Sequence, residues 1–130
     1  LVGAYALGAH GYPRATLDID LCVSPTPENA KRVYAALSHF GAPMNMYSLE
    51  DLTNQDMVLQ LGVAPWRIDL MTSISGVQFT EAYQGAVRID VDGIPIRVLS
   101  IEHLIKNKEA TGRTKDLHDV DILKRSVRES

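Results

Sequence analysis

Polar and apolar residues alternate in blocks whose period changes along the chain. Asp18 to Val23 alternates with period two and stops at Ser24-Pro25, which predicts a strand. Thr26 then offers an N-cap with Pro27 at the first helical position. Ala30, Val33, Tyr34 and Leu37 follow at helical spacing up to Gly41, which predicts a helix ended by glycine. Ser48-Leu49-Glu50-Asp51 predicts a short helical turn. Val58–Leu61 and Arg67–Thr72 predict two strands joined through residues 62–65. Asp92-Gly93 between Ala86–Val91 and Ile94–Leu99 is a strong two-residue hairpin signal. Ser100 caps a helix with Ile101, Leu104 and Ile105 on one face, and Thr114 opens another with Leu117, Val120, Leu123 and Val127.

This order of strand, helix, hairpins and two closing helices predicts an α+β fold, a mixed β-sheet with helices packed on it, rather than strictly alternating parallel units. No repeat or low-complexity linker divides the 130 residues, which predicts a single domain over 1–130. The chain opens on Leu1 and runs straight into apolar residues without a cap, so further sequence is expected before it.

Composition narrows the function classes. The chain is 45% hydrophobic and 22% charged, with a net charge of −3. That balance is unlike a domain that grips duplex DNA by phosphate neutralisation. Seven of its thirteen Lys and Arg (Lys106, Lys108, Arg113, Lys115, Lys124, Arg125, Arg128) lie in the last quarter, a local positive field better suited to a phosphate than to a long polyanion. The single cysteine, Cys22, excludes an internal disulfide and a Cys-rich zinc site. With no long apolar run, the expected location is the cytoplasm, without membrane partners.

The candidate chemistry centres on Asp18-Ile19-Asp20. Residues i and i+2 of a strand share a face, so two carboxylates sit side by side opposite the core positions Ile19, Leu21 and Val23. Their mutual repulsion is relieved by a cation, and an all-oxygen site with places left for water and phosphate suits Mg²⁺. The plainer reading is the solvated edge of an amphipathic strand. Asp69, within Arg67-Ile68-Asp69-Leu70-Met71, adds a third acid in an apolar strand, where an isolated charge is costly. A salt bridge to Arg67 or Arg14 is its plainer reading. Gly3-Ala4, between a strand at Leu1-Val2 and an expected helix start, would offer free backbone N–H groups of the kind that hold phosphates, or merely allow close packing.

Taken together, Leu1-Val2-Gly3-Ala4, Gly11-Tyr12-Pro13-Arg14-Ala15-Thr16 and Asp18-Ile19-Asp20-Leu21 resemble the signature of minimal nucleotidyltransferases of the DNA polymerase beta superfamily. Arg67-Ile68-Asp69-Leu70 resembles the strand bearing that family's third acid. Leu104 to Lys108 and Thr111 to Asp116, followed by Asp119, are similar to the C-terminal helices of stand-alone bacterial members, some of which are toxins of toxin–antitoxin pairs. Ala4 stands where the family most often has Gly or Ser, so a hydroxyl contact to phosphate is lost while backbone donation remains.

The resemblance implies transfer of a nucleoside monophosphate from an NTP, such as ATP, to an acceptor hydroxyl on RNA, protein or a small molecule. Pyrophosphate leaves, and two Mg²⁺ ions roughly 4 Å apart take part. It makes Asp18 and Asp20 ligands of both ions, and Asp69 a ligand of one and the acceptor's base. Gly3, Ala4, Arg14 and Thr16 become nucleotide contacts, with Lys106 and Lys115 as further phosphate contacts. A cognate antitoxin or toxin is the implied protein partner. A catalytically inactive nucleotide- or partner-binding member of the same fold is the alternative. Outside these motifs, His118 is expected on an exposed helix face, Cys22 as a small buried hydrophobe, and Trp66 and Tyr83 in the core.

Overall fold

A computed structural model describes residues 1–11, 18–62 and 67–129. The fold is mixed α and β, and the chain gathers into two compact units, Leu17–Ser73 and Leu1–Thr16 with Ile74–Ser130. Among the described residues no helix is long and apolar enough to cross a membrane.

In the first unit, strand β1 (Asp18–Cys22) leads into helix α2 (Pro27–Phe40), which follows helix α1 (Gly3–Ala9) in chain order. Both predicted ends of α2 form. Thr26 accepts from the Asn29 N–H at 3.4 Å, and Gly41, at φ 99°, donates back to the Leu37 and Ser38 carbonyls. Two 3-10 turns follow, Met44–Met46 and Asp51–Thr53. At the second, the Ser48 and Asp51 side chains each accept the other residue's N–H at 3.1 Å, a reciprocal cap.

Strands β2 (Val58–Leu61) and β3 (Arg67–Met71) complete a sheet of order β1-β3-β2, with β1 parallel and β2 antiparallel to β3. The loop expected between them falls largely on residues 63–66, outside the described residues. Leu70 and Leu61 pack with Ala30, Leu37 and Leu52 to form the core, and Leu21, Val23, Ile68 and Leu59 lie against it. One sheet face is therefore apolar and covered. The other carries the alternate residues.

In the second unit, helix α3 (Phe79–Gln84) precedes the hairpin of β4 (Val87–Val91) and β5 (Ile94–Val98), then α4 (Ile101–Thr111) and α5 (Thr114–Glu129). Asp92 and Gly93 both have positive φ, 52° and 82°, as a type I′ turn requires. The hairpin makes a two-stranded sheet of its own rather than joining the mixed sheet. Leu1 lies beside it, donating to the Arg97 carbonyl and accepting from the Leu99 N–H at 2.9 and 3.0 Å. Gly3 takes φ 69° where α1 begins, a conformation open to glycine.

Ser100 caps α4 through the His103 N–H, and Gly112, at φ 68°, ends it. Ala6, Val77, Val98, Leu99, Leu104, Val120 and Leu123 are among this unit's buried apolar side chains. Lys108 of α4 is buried with them, held at 3.2 and 3.1 Å by the buried Asp116 and Asp119 of α5. Tyr83 departs from its expected core position. It is 47% exposed, stacked on Phe79, with the Arg97 guanidinium 4.3 Å over its ring.

Candidate active site

The parallel register of β1 and β3 places Asp18 opposite Arg67 and Asp20 opposite Asp69, and β2 sets Gln60 against Asp69. Paired residues share a sheet face, so three acids and one guanidinium occupy the face opposite the core. Leu21, Ile68 and Leu70, interleaved with them, anchor the other face. A one-residue slip of either strand would bury the acids and expose the leucines, so the apolar pattern itself fixes their register.

The electrostatics are unbalanced around Asp20. Burial pushes its carboxyl above the usual range, the negative charges of Asp69 and Asp18 and a hydrogen bond shared with Asp69 push it further, and Arg67 opposes them. Arg67 is committed mainly to Asp18, Nη2 to Oδ2 at 3.0 Å, and reaches Asp69 only at 4.0 Å. Asp18, rather than Asp69, is thus the main partner in the salt bridge the sequence suggests. Asp69 Oδ1 is buried with no hydrogen-bond partner among the described residues. A buried carboxylate oxygen left unpaired is costly, and it commonly marks a place where an ion or water belongs.

These features test whether a divalent ion fits. Asp20 and Asp69 supply hard oxygen donors, excess negative charge and an unsatisfied buried oxygen, which is the chemistry a hard cation satisfies. No three His, Cys, Asp or Glu side chains among the described residues are set to hold a metal as they stand. Arg67 holds Asp18 in an ion pair, so a ligand set of three acids requires that pair to open. The chemistry of Asp20 and Asp69 fits a hard cation, while Asp18 is engaged by Arg67.

The model of a family described as "Nucleotidyl transferase of unknown function (DUF2204)" matches residues 6–130, nearly the whole chain. The chain belongs to that family. Its membership agrees with the likeness to minimal nucleotidyltransferases carried by the sequence motifs. A search among curated proteins returns no match.

Arg14 and Thr16 lie outside the described residues, as does Trp66. Gly3 and Ala4 are the first residues of α1. Lys106, on α4, is paired with Glu81 at 2.9 Å, and this contact lowers the Glu81 carboxyl. Lys115 is exposed in the first turn of α5, and His118 is exposed on the same helix. Cys22 is partly buried, with its thiol pushed up by that burial, as suits an unreactive packing residue.

Two groups are harder to read from the sequence. Arg67 is visible there as a salt-bridge partner, but its preference for Asp18 depends on a pairing of residues 49 apart in the chain. The buried Lys108–Asp116–Asp119 cluster is hidden in a run of charges that reads as a solvated helix face.

Proposed function

We propose that this family member transfers a nucleoside monophosphate from an NTP to an acceptor hydroxyl with Mg²⁺ as cofactor. The observation that carries the reading is the Asp20–Asp69 register pair, with its raised Asp20 carboxyl and unpartnered Asp69 oxygen. A carboxyl perturbed by burial and by neighbouring acids on a polar face is a signature of a functional site. Membership of a nucleotidyl transferase family supports the reaction class.

In this reading Asp18, Asp20 and Asp69 would hold the metal, and bound divalent ions would supply polarisation of the attacking and leaving oxygens. Asp69 accepts the proton of the acceptor hydroxyl. The acceptor oxygen forms a bond to the α-phosphorus, the bond from that phosphorus to the α–β bridging oxygen breaks, and pyrophosphate departs with the electron pair. Backbone N–H groups of Gly3 and Ala4, and the side chains of Arg14, Thr16, Lys106 and Lys115, are proposed contacts for the triphosphate. Lys106 would have to exchange Glu81 for phosphate. A cognate antitoxin or toxin protein is the proposed partner, and RNA, protein and small alcohols are the acceptor classes.

Incubating the protein with MgCl₂, each labelled NTP and a cell extract tests this. Label passes to one fraction with the wild type and not with Asp69→Asn. No transfer from any NTP by the wild type contradicts it.

A second reading is a nucleotide- or partner-binding member without catalysis. The Arg67–Asp18 ion pair favours it, because it engages one of the three acids with a cation the chain already carries. Under this reading Mg²⁺ and NTP raise the melting temperature while no label moves.

A further inference from the structure

We propose that the outer edge of β4 pairs with the same edge of a second copy of this chain. The result is a four-stranded antiparallel sheet about a twofold axis at Ile89.

The hairpin's two edges are treated differently by the sequence. The type I′ turn at Asp92-Gly93 makes Val91 and Ile94 a hydrogen-bonded pair, and such pairs alternate with non-bonded ones along an antiparallel ladder. Asp90 and Pro95 therefore face each other at a non-bonded position, so the missing N–H of Pro95 belongs to the outer edge of β5 and blunts it. Leu1 covers more of that edge through Arg97 and Leu99. The outer edge of β4 has no proline, no lysine and, among the described residues, no pairing strand. Its outward N–H and C=O groups are those of Arg88 and Asp90.

The β4 sequence Val87-Arg88-Ile89-Asp90-Val91 is self-complementary when read backwards. Antiparallel pairing of two copies about Ile89 sets Arg88 opposite the second copy's Asp90, and Asp90 opposite its Arg88. Those are the positions whose backbone groups point outward, so both hydrogen bonds of each pair form. On the other face Val87 meets Val91 and Ile89 meets itself. A shift by two residues either way opposes two Arg88 or two Asp90 side chains, which is unfavourable.

The charges are available, since Arg88 and Asp90 are 67% and 66% exposed and, among the described residues, bridge only each other, at 3.7 Å. The apolar face is free only in part, since Ile89 and Ile96 are half-buried and Val98 is buried in the unit's core. Every position of the ladder on that side is Val or Ile, and Val87, Val91 and Ile94 are exposed.

Sedimentation velocity across a concentration series, on the wild type, Arg88→Asp, Asp90→Arg and an equimolar mixture of the two variants, tests the proposal. Both substitutions sit on exposed side chains, and circular dichroism checks that the fold is kept. The expected result is a wild-type dimer, two monomeric variants and a heterodimer in the mixture. There the all-acidic edge of one variant meets the all-basic edge of the other, and opposite charges again face each other at both pairs. A wild type that stays monomeric at every concentration overturns the proposal. So does a dimer that survives both single changes, a mixture that fails to reassociate, or a β4 edge that binds only a different protein's strand.

Discussion

Asp20 on β1 and Asp69 on β3 are register partners in a parallel strand pair, and the charge of Asp69, added to burial, helps hold the Asp20 carboxyl above its usual range. An acid raised in the folded state binds more protons there than in the unfolded chain. Stability therefore falls as pH rises through the window above the ordinary carboxylate value. Asp20→Asn removes the repulsion at constant shape, so without metal it raises the melting temperature at neutral pH, and the gain shrinks as the pH is lowered toward the ordinary carboxylate value of about 4. Thermal melts at a series of pH values check this. A lower melting temperature for the variant at neutral pH would show that Asp20 is structurally satisfied.

Arg67 is the cation already present among the acids. Its pair with Asp18 is about one-third exposed, so Arg67→Gln is expected to move the chemical-denaturation midpoint only slightly. The same change removes a competitor for Asp18 and tightens Mg²⁺ binding in calorimetric titration. Weaker binding would place Arg67 in support of the metal site instead.

Lys108 lies between two buried carboxylates, and removing one member of such a group leaves the others uncompensated. Lys108→Met is expected to cost about 3 kcal/mol in urea denaturation, far more than a change at the exposed Lys124. A loss as small as that of a surface pair would mean that the cluster is hydrated.

Asp116 gives a pH signature. Burial alone would raise its carboxyl, but hydrogen bonds from Thr111, Arg113 and Lys108 outweigh it and hold the group at about 2 instead of 3.8. This lowered value contributes roughly 2 kcal/mol at pH above the ordinary value, lost as pH falls from about 4 to about 2. Asp116→Asn should flatten the acid limb of the stability profile in that range, as measured by urea midpoints at each pH.

Gly76 combines φ 78° with a close approach to α4, where an added Cβ would lie 2.6 Å from the Ala110 Cβ and 3.0 Å from the Lys106 carbonyl oxygen. Gly76→Ala is expected to cost about 1–3 kcal/mol, read from the shift in urea midpoint.

Much of this architecture is legible in residue order. Both ends of α2 and the start of α4 are written in Thr26-Pro27, Gly41 and Ser100, because each supplies a backbone conformation or a hydrogen bond that a helix end requires. The hairpin is equally clear in Asp92-Gly93. Helix α3 is not, since six residues without a side-chain cap show too little of the helical period to be read. The acids stand out by their alternation with Ile and Leu. Their pairing does not, because nothing local in Asp18 to Asp20 or Arg67 to Asp69 dictates which strand lies beside which. Tyr83 misleads for a related reason, as its place depends on Arg97 of the distant β5 rather than on its own neighbours.

The most direct test of the proposal that Asp20 and Asp69 hold a metal is a Mn²⁺ titration followed by electron paramagnetic resonance, with Mn²⁺ standing in for Mg²⁺. Wild type, Asp20→Asn and Asp69→Asn are compared in the presence of a nonhydrolysable NTP. Saturable binding by the wild type and its loss in both variants is the expected result. Equal binding by all three proteins, or none by the wild type, would contradict it.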